Sequence, residues 1–167
     1  MLKQVVQDKI NEQINNEFYS SYSYLAMSAY CEHKQFTGCA QWLRIQSQEE
    51  NTHAMRLYDF LIARGGRVTL SKIQEPKSDY ESIAEVFQNV LHQEQEVTAQ
   101  IDSLYDLAMH EKSFAALVEL EWFIQEQVEE EKQAREILHK FRLVENDPAS
   151  LLDLDRELSE RSPESGA

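Results

Sequence analysis

Along the stretch CAQWLRIQSQEENTHAMRLYDF, residues 39–60, apolar residues recur at a spacing of three or four towards both ends. This spacing places those residues on one face of an α-helix and predicts that the helix packs into a core. Glu50 and His53 lie on the same face, one turn apart and near its middle. A Glu-x-x-His pair alone is a weak signal, so its meaning depends on what the other helices place beside it.

Helix breakers are rare, because the whole chain holds only four glycines and three prolines. The long segments between them are rich in Glu, Gln, Leu, Ala and Lys, which favours long helices over strands. The predicted helices are α1 over about 3–33, α2 over about 38–64, α3 over about 81–110, α4 over about 114–145 and a short α5 over about 148–159.

The connections predict how these helices are arranged. Short turns join α1 to α2 and α3 to α4, so the helices of each pair are expected to be antiparallel. The link over 66–80 is long enough to cross the bundle from end to end between α2 and α3. We therefore predict an all-α four-helix bundle over 1–160, with one long crossover and a short fifth helix, followed by a disordered tail over 161–167.

Three local signals predict where helices begin and end. The Gly65–Gly66 pair is expected to end α2, because glycine is favoured just after a helix. Ser78 or Asp79 is expected to cap the start of α3. Asp147–Pro148, a capping residue followed by proline at the first helical position, is expected to begin α5.

The other three long helices also have apolar faces that polar residues interrupt near the midpoint. The interruptions are Glu17 in α1, Glu94 in α3, and Gln127 with Glu130 in α4. The midpoints of the helices in such a bundle lie at one height. These side chains are therefore expected to converge with Glu50 and His53 on one point in the core.

Burying four carboxylates together is costly unless their charge is neutralised. No lysine or arginine lies on these faces at this height, which leaves protonation or metal binding. Two divalent cations would balance four carboxylates, with the imidazole as a neutral ligand. The predicted positions are unequal and share Glu50: one is held by Glu17, Glu50 and His53, and the other by Glu50, Glu94 and Glu130. Oxygen-rich ligation of this kind favours iron, and less strongly manganese, over zinc.

The charge of the chain favours cations as partners. Thirty acidic and 16 basic residues give a net charge of −14, which argues against nucleic acid and anionic membranes. Cys31 and Cys39 form neither a zinc pattern nor a disulfide framework, and the chain begins without an apolar signal-peptide core. A cytoplasmic protein with free thiols is expected.

A specific combination of residues closely resembles the ferritin family, and within it the haem-free bacterial type. It comprises Glu17, the run EENTH at 49–53, Glu94, Trp122 and the run EQVEE at 126–130. The resemblance extends from α1 to α5. It implies a ferritin-like bundle that assembles into a hollow 24-subunit shell, acts as a ferroxidase on Fe(II) with O2 or H2O2, and stores ferric mineral inside.

The resemblance also implies roles for individual residues. It implies that the two predicted metal positions are the ferroxidase di-iron centre, with Gln127 beside them. It implies a third iron site held by Glu49, Glu126 and Glu129, with Glu130 shared. It further implies that Tyr24 and Trp122 lie beside the centre and that Tyr24 supplies an extra electron when oxygen is reduced, although plain aromatic packing stays open for both.

Haem is not expected in this chain. Bacterioferritin has Glu-x-x-His on both central helices and a methionine beside the first motif. Here α4 carries Gln127 and Glu130 instead, and Asn51 and Thr52 lie between Glu50 and His53.

Two other functions stay open at this point. A di-iron oxygenase or peroxidase would act on an organic substrate without storing mineral. A helical interaction protein without enzymatic activity would keep its central acids protonated or hydrated. The first would stop taking up iron once its centre is filled, and the second would not oxidise Fe(II).

Overall fold

The computed structural model describes residues 1–163, which form five α-helices and no strand. The helices are α1 Gln4–His33, α2 Thr37–Ala63, α3 Ile83–His110, α4 Phe114–Val144 and α5 Pro148–Leu158. Each boundary lies within two residues of the predicted one, and the all-α prediction is confirmed. None of these five helices combines the length and the apolar character that crossing a membrane requires.

The four long helices pack in two antiparallel pairs. The hydroxyl of Ser21 on α1 donates to the carbonyl oxygen of Ser47 on α2 at 2.7 Å, and Ser28 donates to that of Ala40, also at 2.7 Å. Residue numbers that rise on α1 as they fall on α2 define an antiparallel pair. Only residues 111–113 separate α3 from α4, and these helices form the second pair, with α3 also packed against α1.

The link over 64–82 runs along α1 from one end of the bundle to the other. Near the start of α1, Asn11 donates to the carbonyl oxygen of Arg67 at 3.0 Å and accepts from the backbone N–H of Thr69 at 2.8 Å. Near the end of α1, the hydroxyl of Tyr30 donates to the carbonyl oxygen of Tyr80 at 2.6 Å. The predicted crossover is therefore present, and α2 and α3 run parallel.

Helix α2 ends at the predicted glycine pair. Gly65 has a φ of +74°, a left-handed conformation that glycine adopts at little cost. The N–H groups of Gly65 and Gly66 bond to the carbonyl oxygens of Ile62 and Leu61, both at 2.9 Å. These bonds satisfy two of the carbonyl groups left free at the end of a helix.

The cap predicted for α3 at Ser78 or Asp79 is wrong, because those residues still belong to the link. The hydroxyl oxygen of Ser82 accepts from the N–H of Glu85 at 3.1 Å. The carboxylate of Glu85 in turn accepts from the N–H of Glu81 at 2.5 Å. This reciprocal arrangement is close to a capping box, in which serine and a glutamate three residues later satisfy each other's free N–H groups.

Helix α5 packs across the beginning of α2. Asp147 caps α5 as predicted, accepting from the N–H of Ser150 at 2.9 Å. A carboxylate oxygen of Asp155 accepts from the N–H of Cys39 at 2.8 Å. Gly38 permits this approach, because a Cβ added there would lie 1.8 Å from the carbonyl oxygen of Asp155.

The described part of the predicted tail runs back towards α2, where Arg161 donates a hydrogen bond to Glu49 at 2.5 Å. Residues 164–167 of that tail lie outside the described residues. The domain limit at 160 and the disorder of 161–167 stay predictions.

A polar layer divides the core into two apolar clusters. One cluster includes Leu43, Phe87 and Phe141, and the other includes Ile14, Leu57, Ile101 and Phe123. Between them, all four long helices contribute buried polar side chains. The fold thus places the interruptions of all four apolar faces at one level.

Candidate metal centre

Six polar side chains that the sequence predicted to converge are buried in this layer. They are Glu17 from α1, Glu50 and His53 from α2, Glu94 from α3, and Gln127 and Glu130 from α4, and none is more than 6% exposed. Each lies on the same helix face as the apolar residues before and after it. Packing of those apolar residues therefore turns the polar side chains inward.

One side of the layer is a group of three potential ligands. The ligand atoms of Glu17, Glu50 and His53 lie within 4.8 Å of one another. The Nδ1 atom of His53 is 3.3 Å from Oε2 of Glu50. Apart from this contact of Glu50 with the imidazole, Oε2 of Glu17 and Oε2 of Glu50 are buried and accept no hydrogen bond from residues 1–163. Buried carboxylate oxygens without donors are poorly stabilised by protein alone and fit a cation between them.

The other side of the layer contains Glu94 and Glu130. The hydroxyl of Tyr24 donates to Oε1 of Glu94, and the amide nitrogen of Gln127 donates to Oε2 of Glu94 at 3.2 Å. Oε2 of Glu130 accepts from the amide of Gln46 at 2.8 Å. Neutral donors thus hold both oxygens of Glu94 and one oxygen of Glu130, and hydrogen bonds of this kind orient ligands in known metal sites.

Burial, together with repulsion between neighbouring carboxylates, raises the pKa values of Glu17, Glu50, Glu94 and Glu130 to about 8. Without a cation, the layer therefore retains protons at neutral pH. A divalent cation must displace those protons, so its affinity for the layer increases with pH.

Two glutamines that sequence reasoning did not assign to the site belong to it. Gln13 donates to Oε1 of Glu17 at 2.8 Å, and Gln46 donates to Oε1 of Glu50 at 3.3 Å as well as to Glu130. Each stands four residues before the glutamate of its own helix that it contacts. This spacing in the sequence indicates the contact between each glutamine and its glutamate, because residues four apart on a helix are neighbours.

The residues of the implied third iron site lie at the edge of the layer, in a different grouping. Glu126 forms a potential ligand group with His53 and Glu130, with ligand atoms within 4.8 Å of one another. Glu129 is exposed. Glu49 and Glu129 line one small cleft with Glu126 and Glu130.

Trp122 contacts the predicted histidine ligand. Its ring packs edge-on against His53, with centroids 5.3 Å apart, and the guanidinium of Arg56 lies over the Trp122 ring, 4.2 Å from its centroid. Arg56 also pairs with Glu119 at 2.5 Å. Trp122 therefore limits how the imidazole of His53 can rotate.

The fold and the central layer together define a class of protein, the four-helix bundle with a carboxylate-rich candidate metal site in its core. The family model for the ferritin-like domain matches residues 7–144. The chain therefore belongs to the ferritin family, and the resemblance found in its sequence is confirmed.

Similar proteins cover nearly the whole chain. A bacterial non-heme ferritin of Staphylococcus saprophyticus is 36% identical over 162 residues, 97% of each chain. One from Escherichia coli is 38% identical over 159 residues, 95% of this chain and 96% of its own. An open-pore ferritin from the archaeon Archaeoglobus fulgidus is 42% identical with a TM-score of 0.96, covering 97% of this chain and 100% of its own.

Proposed function

We propose that this chain is an iron-storage ferroxidase that oxidises Fe(II) at a di-iron centre within each subunit. The observation that carries the proposal is the group of Glu17, Glu50 and His53, two of whose buried oxygens lack a donor. Glu50 bridges the two irons, and Glu94 and Glu130 complete the second position. Family membership supports iron as the metal.

The chemistry follows from the charge of the ligands. Carboxylates stabilise Fe(III) more strongly than Fe(II), because the attraction grows with the charge of the ion. Each of two Fe(II) ions loses one electron, and O2 accepts both electrons with two protons to give H2O2, or H2O2 accepts them to give water. Glu50 holds the irons close enough to deliver both electrons to one oxidant molecule.

The oxidised iron is cargo, so the centre has to release it. We propose that it moves into a shell of 24 subunits and is stored there as ferric oxy-hydroxide, as the family resemblance implies. The net charge of −14 per chain attracts Fe(II) to such a shell, and the attraction falls as salt screens it. The same proposal places the protein in the cytoplasm, without haem.

An aerobic titration of metal-free protein with Fe(II) tests storage against the oxygenase alternative. Ferric absorbance reports oxidation, and soluble iron per chain reports storage. Storage predicts that iron continues to oxidise and stays soluble far beyond two or three ions per chain. Oxidation that stops near two per chain supports a di-iron enzyme without storage, and protein that oxidises no Fe(II) contradicts both.

A further inference from the structure

Arg161, three residues after the end of α5, is buried against α2 beside the metal centre. Its guanidinium donates to Oε2 of Glu49 at 2.5 Å and to Oε1 of Gln46 at 2.8 Å, and lies 4.5 Å from the centroid of the Trp42 ring. Only 13% of its side chain is exposed. A guanidinium this enclosed is held by specific contacts rather than by solvent.

The fold delivers Arg161 to this position through α5. The contact of Asp155 with Gly38 and Cys39 fixes α5 at the start of α2. Trp42, Gln46 and Glu49 follow on one face of α2 at helical spacing. The short segment after α5 lies along that face. The packing of α5 on α2 therefore determines the position of the Arg161 guanidinium.

Gln46 connects Arg161 to the centre. Its amide oxygen accepts from Arg161, so its amide nitrogen is turned the other way, towards Glu130 at 2.8 Å and Glu50 at 3.3 Å. A glutamine amide has one accepting and two donating sides. Arg161 therefore selects the orientation of Gln46 that donates to the predicted iron ligands.

The same guanidinium occupies the acidic cleft at the edge of the layer. Glu49, Glu126, Glu129, Glu130, Gln133 and Arg161 line this cleft, whose volume is about 190 Å³. Arg161 binds one oxygen of Glu49, while the other, Oε1, is buried without a hydrogen-bond partner among residues 1–163. The side chain thus supplies one positive charge where the family resemblance implies a third iron.

We propose that Arg161 is a tethered cation that competes with a third metal ion for Glu49 and so sets how many metal ions each subunit holds. While it is docked, the subunit retains two metal ions tightly and a third only weakly. When it leaves, Glu49 becomes available to a third ion and Gln46 is released. This inference rests on the proposed function, because it assumes that the inner positions bind metal.

Calorimetric titration with Zn(II), a divalent ion that does not change oxidation state, tests the competition without any turnover. Metal-free wild type is compared with R161Q, which removes the charge, and with R161K, which keeps it but cannot hold Glu49 and Gln46 in one planar fork. R156Q is the matched control, because Arg156 is exposed on α5 and its one ion pair within residues 1–163 is with Asp153. Anomalous diffraction at the zinc edge locates any additional ion.

The competition predicts two tight ions in wild type and R156Q, and a third in R161Q that binds at least about tenfold more tightly than in wild type. The anomalous peak of that third ion should lie beside Glu49. R161K should keep the third ion weak, because its charge remains in the cleft.

Two results separate the inference from the function beneath it. Two tight ions in wild type, with no strengthening of the third in R161Q, contradict the competition and leave the proposed function standing. No tight ion in the inner positions of wild type contradicts the proposed function, and the inference with it. If R161Q does not fold, R161M, which is uncharged and of similar length, takes its place. A third ion that binds R161M at least about tenfold more tightly than wild type supports the competition. A third ion that binds R161M as weakly as wild type, or that binds tightly to wild type itself, overturns it.

Discussion

The hydroxyl of Tyr24 on α1 donates a hydrogen bond to the carboxylate of Glu94 on α3, and both side chains are buried in the polar layer. The bond links two helices across the predicted second iron position. It also means that an aromatic residue directly contacts a predicted ligand of this position. Tyr24 can therefore act on the chemistry either by orienting Glu94 or by supplying an electron.

Replacing Tyr24 with phenylalanine separates these roles from packing. We expect Y24F to keep two tightly bound Zn(II) ions but to slow Fe(II) oxidation several-fold, and to lose about 1 kcal/mol of stability with the hydrogen bond. Stopped-flow absorbance and urea unfolding measure the two effects. Y30F is the matched control, because it removes the buried bond of Tyr30 to Tyr80 far from the layer. If Y24F oxidises Fe(II) as fast as Y30F, then Tyr24 contributes only packing to the site.

The bridging role of Glu50 predicts that E50A impairs both metal positions together. The fast phase of Fe(II) oxidation should fall by at least about tenfold, since ligand and supporting residues each contribute that much to metal affinity. E121A, which removes an exposed carboxylate from α4, should oxidise iron at the wild-type rate. Unchanged fast kinetics in E50A would show that the assignment of the bridge is wrong.

The raised pKa values of the layer predict how the stability of the metal-free protein depends on pH. The folded state keeps protons on these carboxyls up to about pH 8, whereas unfolded glutamates lose theirs near pH 4.3. Between these values the folded state binds more protons, so stability falls as pH rises. Urea unfolding should therefore give lower stability at pH 8.5 than at pH 6.

Two comparisons assign that pH dependence to the layer. E94Q carries a neutral amide in place of one acid, so its stability should change less between pH 6 and 8.5. Added Zn(II) should stabilise wild type more at pH 8.5 than at pH 6, because fewer protons then have to leave. A slope that neither E94Q nor Zn(II) alters would come from groups outside the layer.

The close approach of α5 to α2 predicts that G38A is destabilising. The added Cβ would overlap the carbonyl oxygen of Asp155, so α5 has to shift, at a cost of about 1–3 kcal/mol. Displacement of Arg161 from Trp42 should change tryptophan fluorescence in the same variant. Wild-type stability and fluorescence in G38A would mean that α5 does not hold Arg161 in place.

Much of the fold and of the site could be predicted because both follow from helical periodicity. The otherwise apolar faces of the four long helices carry Glu17, Glu50, Glu94 and Glu130. When such a face packs into the core, its polar side chains are buried as well. The start of α3 was misplaced because two serines near it, Ser78 and Ser82, each have a glutamate three positions later. The structure shows that the second of these pairs, Ser82 with Glu85, lies at the start of the helix.

Residues that reach the site by tertiary packing could not be predicted in this way. Gln13 and Gln46 had a local signal, their spacing from Glu17 and Glu50, but glutamine on a buried face has no fixed role. Arg161 had no signal at all. Its position depends on how α5 docks on α2, and nothing in the sequence around Arg161 specifies that contact.

The central claim is that the buried layer binds two irons that share Glu50. Crystals of metal-free protein, soaked with Fe(II) without oxygen and measured at the iron edge, test it directly. We expect two anomalous peaks inside each subunit, one between Glu17, Glu50 and His53 and one between Glu50, Glu94 and Glu130. Iron found only at the protein surface, with no peak in the layer, would contradict it.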